Sequence, residues 1–117
     1  MTDNAGAYTC PCCGYPGLEL KPYSRLGSAP YKIVGGPPYS QTLGEPSFDV
    51  CDCCGFEFGT DDEPGTAPPT SFREYLERWV EAGCKWFDSQ KLPRGWTLAD
   101  QLRTAGIAIP TSRPDLG

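Results

Sequence analysis

The sequence has no histidine, a single methionine and no long apolar run. Each absence excludes something. Without imidazole there is no mixed Cys/His metal site, and a cysteine or serine nucleophile lacks its usual base. Without about 18 consecutive apolar residues there is no transmembrane helix. The opening MTDNAGAYTC is polar, with neither a basic start nor an apolar core, so no signal peptide is expected. A cytoplasmic location follows as the expectation, and there thiols stay reduced. No glycine-rich phosphate loop is visible and no two carboxylates pair convincingly, so the chain is expected not to be an enzyme. Basic charge is also scarce: ten Lys and Arg against fifteen Asp and Glu leave −5. That balance makes nucleic acid an unlikely partner and a basic protein surface a better one.

Turn formers and thiols are plentiful instead. Gly and Pro number 14 and 13 in 117 residues, about twice their average usage, so much of the backbone is turn and loop. Six of the seven cysteines fall in two copies of one pattern, CPCCGY at 10–15 and CDCCGF at 51–56. An odd count in a reducing compartment argues against disulfides. In each copy the outer cysteines are two residues apart and a glycine follows the second. Such a turn aims both sulfurs at one ion, and the glycine supplies the positive φ. Two such knuckles complete a tetrahedral site of Cys10, Cys13, Cys51 and Cys54, for which one structural Zn²⁺ is the expected occupant. Four thiolates and a dication change the net charge to −5 − 4 + 2 = −7.

The inner cysteines, Cys12 and Cys53, have two readings: further ligands to a second metal, or turn residues pointing away from the ion. The second is preferred, because adjacent cysteines rarely reach one tetrahedral ion together. Tyr15 and Phe56, in matching places after the glycines, are read as core, and Cys84 as a small buried hydrophobe.

The chain divides into a metal-binding part at 7–59, an acidic Pro/Gly loop at 60–70, a helical part at 71–109 and a frayed tail at 110–117. GLELKPY, YKIVGG and PSFDVCD alternate as short strands. Ser71 with Glu74 is a capping box that opens a long helix. Its apolar stripe runs through Phe72, Tyr75, Leu76, Trp79, Val80, Gly83 and Phe87. Thr97 caps a second, shorter helix that ends before Gly106. The expected fold is therefore α+β: a small zinc-ribbon-like β core with one long and one short C-terminal helix packed on it.

The motifs YTCPCCGY and DVCDCCGFEFG, followed by SFREYLERWVEAGCKWF, resemble a family of small bacterial cysteine-rich proteins named for CPCC. The likeness covers roughly residues 8–88. It implies a zinc-ribbon-like metal fold and no established catalytic activity. The knuckles also resemble those of rubredoxins, which bind iron and carry electrons, and spacing alone does not separate the two metals.

Three functions compete. In the first, the metal is structural and the chain binds another protein through Asp61, Asp62, Glu63, Trp86 and Trp96. The narrowest form of this reading is an antidote (immunity) protein that neutralises a basic bacterial toxin. The second is a zinc-ribbon module acting on nucleic acid or a transcription complex, favoured by the Lys and Arg of the tail. The third is a rubredoxin-like electron carrier.

Overall fold

The computed structural model describes residues 7–30, 32–33, 35–63 and 68–109. The expected tail at 110–117, part of the acidic loop, and Tyr31 and Val34 of the expected strand YKIVGG lie outside them. The described elements are α1 (Ser40–Leu43), α2 (Phe72–Glu81), a 3₁₀ turn (Ser89–Lys91) and α3 (Leu98–Ala105).

No sheet forms among the described residues, so the expected α+β zinc-ribbon core is corrected. Three isolated antiparallel bridges stand in its place: Tyr8 with Leu18, Tyr23 with Pro46, and Val50 with Glu57. The physical reason is in the same segments that alternate as strands. The Tyr23–Pro46 bridge is made by Ser24 N–H donating to Glu45 O and Ser47 N–H donating to Pro22 O, and Pro22 has no N–H with which to answer Ser47, while Pro16 interrupts the chain between the first knuckle and Leu18. Beyond Glu57, Gly59 turns the backbone away at φ 98. Each ladder stops after one rung.

Thiols and aromatic rings make up the core instead. All six knuckle cysteines are buried, together with Tyr23, Phe56, Phe58 and Phe72. Phe72, the first residue of α2, stacks on Tyr39 with ring centroids 4.0 Å apart and meets Phe56 edge-on at 5.2 Å.

α2 begins where its sequence says. The Ser71 side chain accepts from the Glu74 N–H, and Glu74 reaches back to the Ser71 N–H. Phe72, Leu76, Trp79 and Val80 face the core. The expected stripe overruns the helix, however. Gly83, at φ 105, donates to Val80 O, and Cys84 donates to Trp79 O, which is the paired closure that ends a helix at a left-handed residue. Phe87 therefore lies outside α2 and is exposed, and Cys84, itself at φ 56, is only partly buried. The segment beyond turns back on the second knuckle, where Phe87 N–H donates to Cys53 O and Asp88 N–H to Asp52 O. α3 matches its expected limits, with Thr97 accepting from Asp100 N–H and Gly106 left-handed at φ 77.

Candidate metal centre

The two six-residue copies fold into the same turn. In the first, Gly14 N–H donates to Cys10 O at 2.9 Å and Cys10 N–H to Tyr15 O at 2.8 Å. In the second, Gly55 N–H donates to Cys51 O at 2.9 Å and Cys51 N–H to Phe56 O at 3.0 Å. Gly14 and Gly55 carry the positive φ that closes each turn, 85° and 81°. Cys12 N–H points at Cys10 Sγ from 3.4 Å, so backbone donors face the sulfur they would stabilise as thiolate.

These turns bring Cys10, Cys13, Cys51 and Cys54 together, with all four Sγ atoms within 4.8 Å of one another. Cys10 and Cys54 are 4.0 Å apart, and Cys13 and Cys51 are 3.7 Å apart. A tetrahedral ion with metal–sulfur bonds of about 2.3 Å has sulfur–sulfur edges of about 3.8 Å, and these two distances fall on either side of that value. A disulfide needs about 2.05 Å, and all seven cysteines are free. The donor set therefore fits a metal ion, and soft thiolates suit zinc or iron alike.

The electrostatics of the cluster call for a cation. Burial pushes the Cys10, Cys13 and Cys54 thiols well above the ordinary thiol range. Burial opposes ionisation of Cys51 too, but the thiol hydrogen bonds of Cys10, Cys13 and Cys54 outweigh it and hold that sulfur low. Protons thus compete for sites that a dication would take, since only its charge lets all four sulfurs ionise together. Acidification is expected to release the metal, while raising the pH restores binding. A chromogenic chelator followed against pH checks this, and metal retained at strongly acidic pH would contradict it.

The inner cysteines are outside the four-sulfur group but beside it, with Cys12 in side-chain contact with Cys54 and Cys53 with Cys13, and each has a further partner. Cys12 Sγ donates to Phe72 O, in the first turn of α2, at 3.4 Å, and burial raises its thiol to about 11. Cys53 Sγ accepts from Gln101 Nε2 at 3.6 Å. The same Nε2 donates to Cys13 O at 2.9 Å, and Gln101 Oε1 accepts from Trp96 Nε1 at 2.9 Å. Gln101 thereby fastens α3 to both knuckles at once. Tyr75, on α2, does similar work on the second knuckle, its hydroxyl donating to Cys54 O at 3.1 Å. Sequence reasoning missed Gln101; its only signal is an amide placed beside the Leu98, Leu102 and Ala105 stripe.

The expected partner-binding residues fare differently. Asp62 is fully buried: Tyr23 Oη donates to one carboxylate oxygen and Gly59 N–H donates to the other at 2.8 Å. It is therefore corrected from a surface residue to an internal one. Asp61 accepts from Glu57 N–H at 2.8 Å, and Glu63 accepts from Ser40 Oγ. Trp86 and Trp96 join Tyr15 and Trp79 in a chain of edge-on rings. Both are partly buried, and Trp96 lines an open cleft of about 460 Å³ between the first knuckle and α3.

Replacing Asp62 by Ala strands two buried donors, at about 1–3 kcal/mol each, so a loss of roughly 2–6 kcal/mol is expected. Asp62→Asn keeps one acceptor and should lose distinctly less. Urea midpoints of the two variants check the order, and equal midpoints would contradict it.

No family model matches the chain, and no solved structure is similar to it. It is similar to the uncharacterized protein YoaQ of Bacillus subtilis (strain 168), being 33% identical over 88 residues. The match takes in 65% of this chain and 59% of that protein, so the chain spans about three-fifths of the relative's length. No described helix is long and apolar enough to cross a membrane.

Proposed function

We propose that this is a zinc-dependent, non-catalytic protein whose metal site holds together a scaffold for binding another protein. The carrying observation is the closure of the site: four buried cysteines supply four ligands, and helices are tied to both knuckles. A filled shell leaves no position for a substrate or a reactive water, which supports a structural role over catalysis. The same cover disfavours the rubredoxin-like alternative, since a carrier exchanging electrons gains from a metal near the surface. The likeness to the cysteine-rich CPCC proteins is part of this reading. The negative net charge supports a basic partner, and a toxin held by its antidote is the narrowest form of the proposal.

Affinity capture from native extract, with and without nuclease, tests it. The expected result is one stoichiometric protein that survives nuclease and is lost at high salt. Nucleic acid or ribosomal proteins that vanish with nuclease would favour the nucleic-acid module, and no stoichiometric partner would overturn the binding reading.

A further inference from the structure

Two exposed phenylalanines meet the same short hairpin. Phe56 and Phe58 of this hairpin are fully buried, and Glu57 between them is partly exposed. The glycines on either side, lacking side chains, let the two rings approach its backbone. A Cβ on Gly55 would stand 3.5 Å from Phe87 Cδ1, and one on Gly59 would stand 2.7 Å from Phe48 Cε1. The two rings thus cover the two ends of one five-residue segment, whose Cα atoms span no more than about 14 Å. Phe87 is 65% exposed and Phe48 is 63% exposed.

Phe48 is held at φ 61, a conformation that a bulky side chain rarely adopts. Its backbone is strained while its ring stays mostly in solvent, so burial in the core does not account for the arrangement. Strain of this kind concentrates at functional sites.

The segments that carry Phe48 and Glu57 are acidic, while Lys85 and Lys91 flank Phe87 at the other end. From residue 33 to residue 72 there are seven Asp and Glu and no Lys or Arg. Asp62 is engaged internally, Asp61 and Glu63 each give one carboxylate oxygen to a hydrogen bond while staying partly exposed, and Asp52 pairs with Lys91 at 3.2 Å. Glu45, Asp49 and Glu57 remain, with no ion pair to any described residue.

We infer that the strip running from Phe87 past Glu57 to Phe48 is the docking surface for a cationic protein segment. Its apolar side chains would sit on the two rings, and its Lys and Arg would meet Glu45, Asp49 and Glu57. Charge complementarity selects this occupant: a second copy would set acid against acid, and an anionic lipid surface would be repelled in the same way. The inference rests on the proposed protein-binding role and moves its surface away from the acidic loop.

The test is selection of a phage-displayed random peptide library on the full, metal-loaded chain. Selected peptides should carry Lys or Arg around aromatic or aliphatic residues. Synthetic versions should lose at least about tenfold in affinity on Phe48→Gly and on Phe87→Ser, as hot-spot truncations do. They should also weaken as salt rises from about 50 to about 500 mM. Phe48→Gly removes the ring and suits the backbone, so its melting temperature should not fall, which separates lost binding from lost folding. Should it fall, Phe87→Ser and Glu57→Gln decide. Neutral or acidic peptides, or basic ones that neither Phe variant weakens, overturn this surface and leave the wider binding role standing. A library yielding no specific peptide overturns both. Dimerisation abolished by the same substitutions assigns the strip to a second copy and overturns the cationic partner.

Discussion

Cys54→Ser is expected to leave the chain without a cooperative fold. Structural zinc contributes about 10–16 kcal/mol in small peptides, whereas a whole domain typically holds about 5–15 kcal/mol of net stability. Here the dependence is sharpened by architecture. Among the described residues there is no sheet to hold the chain once the ion is lost, only three single bridges. The four cysteines belong to the buried cluster, together with Phe56, Phe72 and Leu102. A serine at position 54 replaces a soft thiolate with a hydroxyl and leaves three thiols that burial disfavours as charges. Loss of the near-UV circular dichroism and of a cooperative thermal transition is the expected reading, and a chelator should do the same to the wild type. Cys84→Ser, outside the cluster, should change the melting temperature little.

The second large effect concerns a glycine. Gly14→Ala and Gly83→Ala both place an alanine at positive φ, at 85° and 105°. Each is therefore expected to cost about 1–2 kcal/mol in backbone strain. Only Gly14 is crowded: a Cβ there would lie 3.0 Å from both Ala105 Cβ and Gln101 O of α3, while one on Gly83 meets nothing within 4 Å. Pushing α3 away adds an overpacking cost of about 1–3 kcal/mol. It also pulls Gln101 from Cys13 O, next to a ligand. Gly14→Ala should thus lose roughly 2–5 kcal/mol and bind metal more weakly, whereas Gly83→Ala should lose the smaller amount with metal affinity intact. Chemical denaturation and competition with a chelator measure both. Equal losses in the two variants would show that α3 is not seated on the first knuckle as described.

What could be read from the sequence was local. The knuckles, the capping box at Ser71 and the Thr97 cap each depend on residues within a few positions, and the structure shows the corresponding turns and helices. What escaped was set by distant partners. Asp61, Asp62 and Glu63 look like a solvated charge run, yet Asp62 is claimed by Tyr23 and Glu63 by Ser40, 39 and 23 residues away. Gln101 reaches Cys13 across 88 residues, with no local pattern to announce it. The absent sheet has a different origin. Alternation suggests strands, but Pro16, Pro22 and Gly59 stand where a second rung would form. Phe87 continues the helical spacing only if Gly83 belongs to the stripe, whereas Gly83, at positive φ, ends the helix.

The proposed scaffold stands on the ion. X-ray absorption at the zinc edge of the purified chain, with metal content measured on the same sample, tests it most directly. One zinc per chain, surrounded by four sulfur atoms at about 2.3 Å with no nitrogen or oxygen neighbour, is the predicted result. Substoichiometric metal, or a shell containing light atoms, would contradict a closed site of Cys10, Cys13, Cys51 and Cys54.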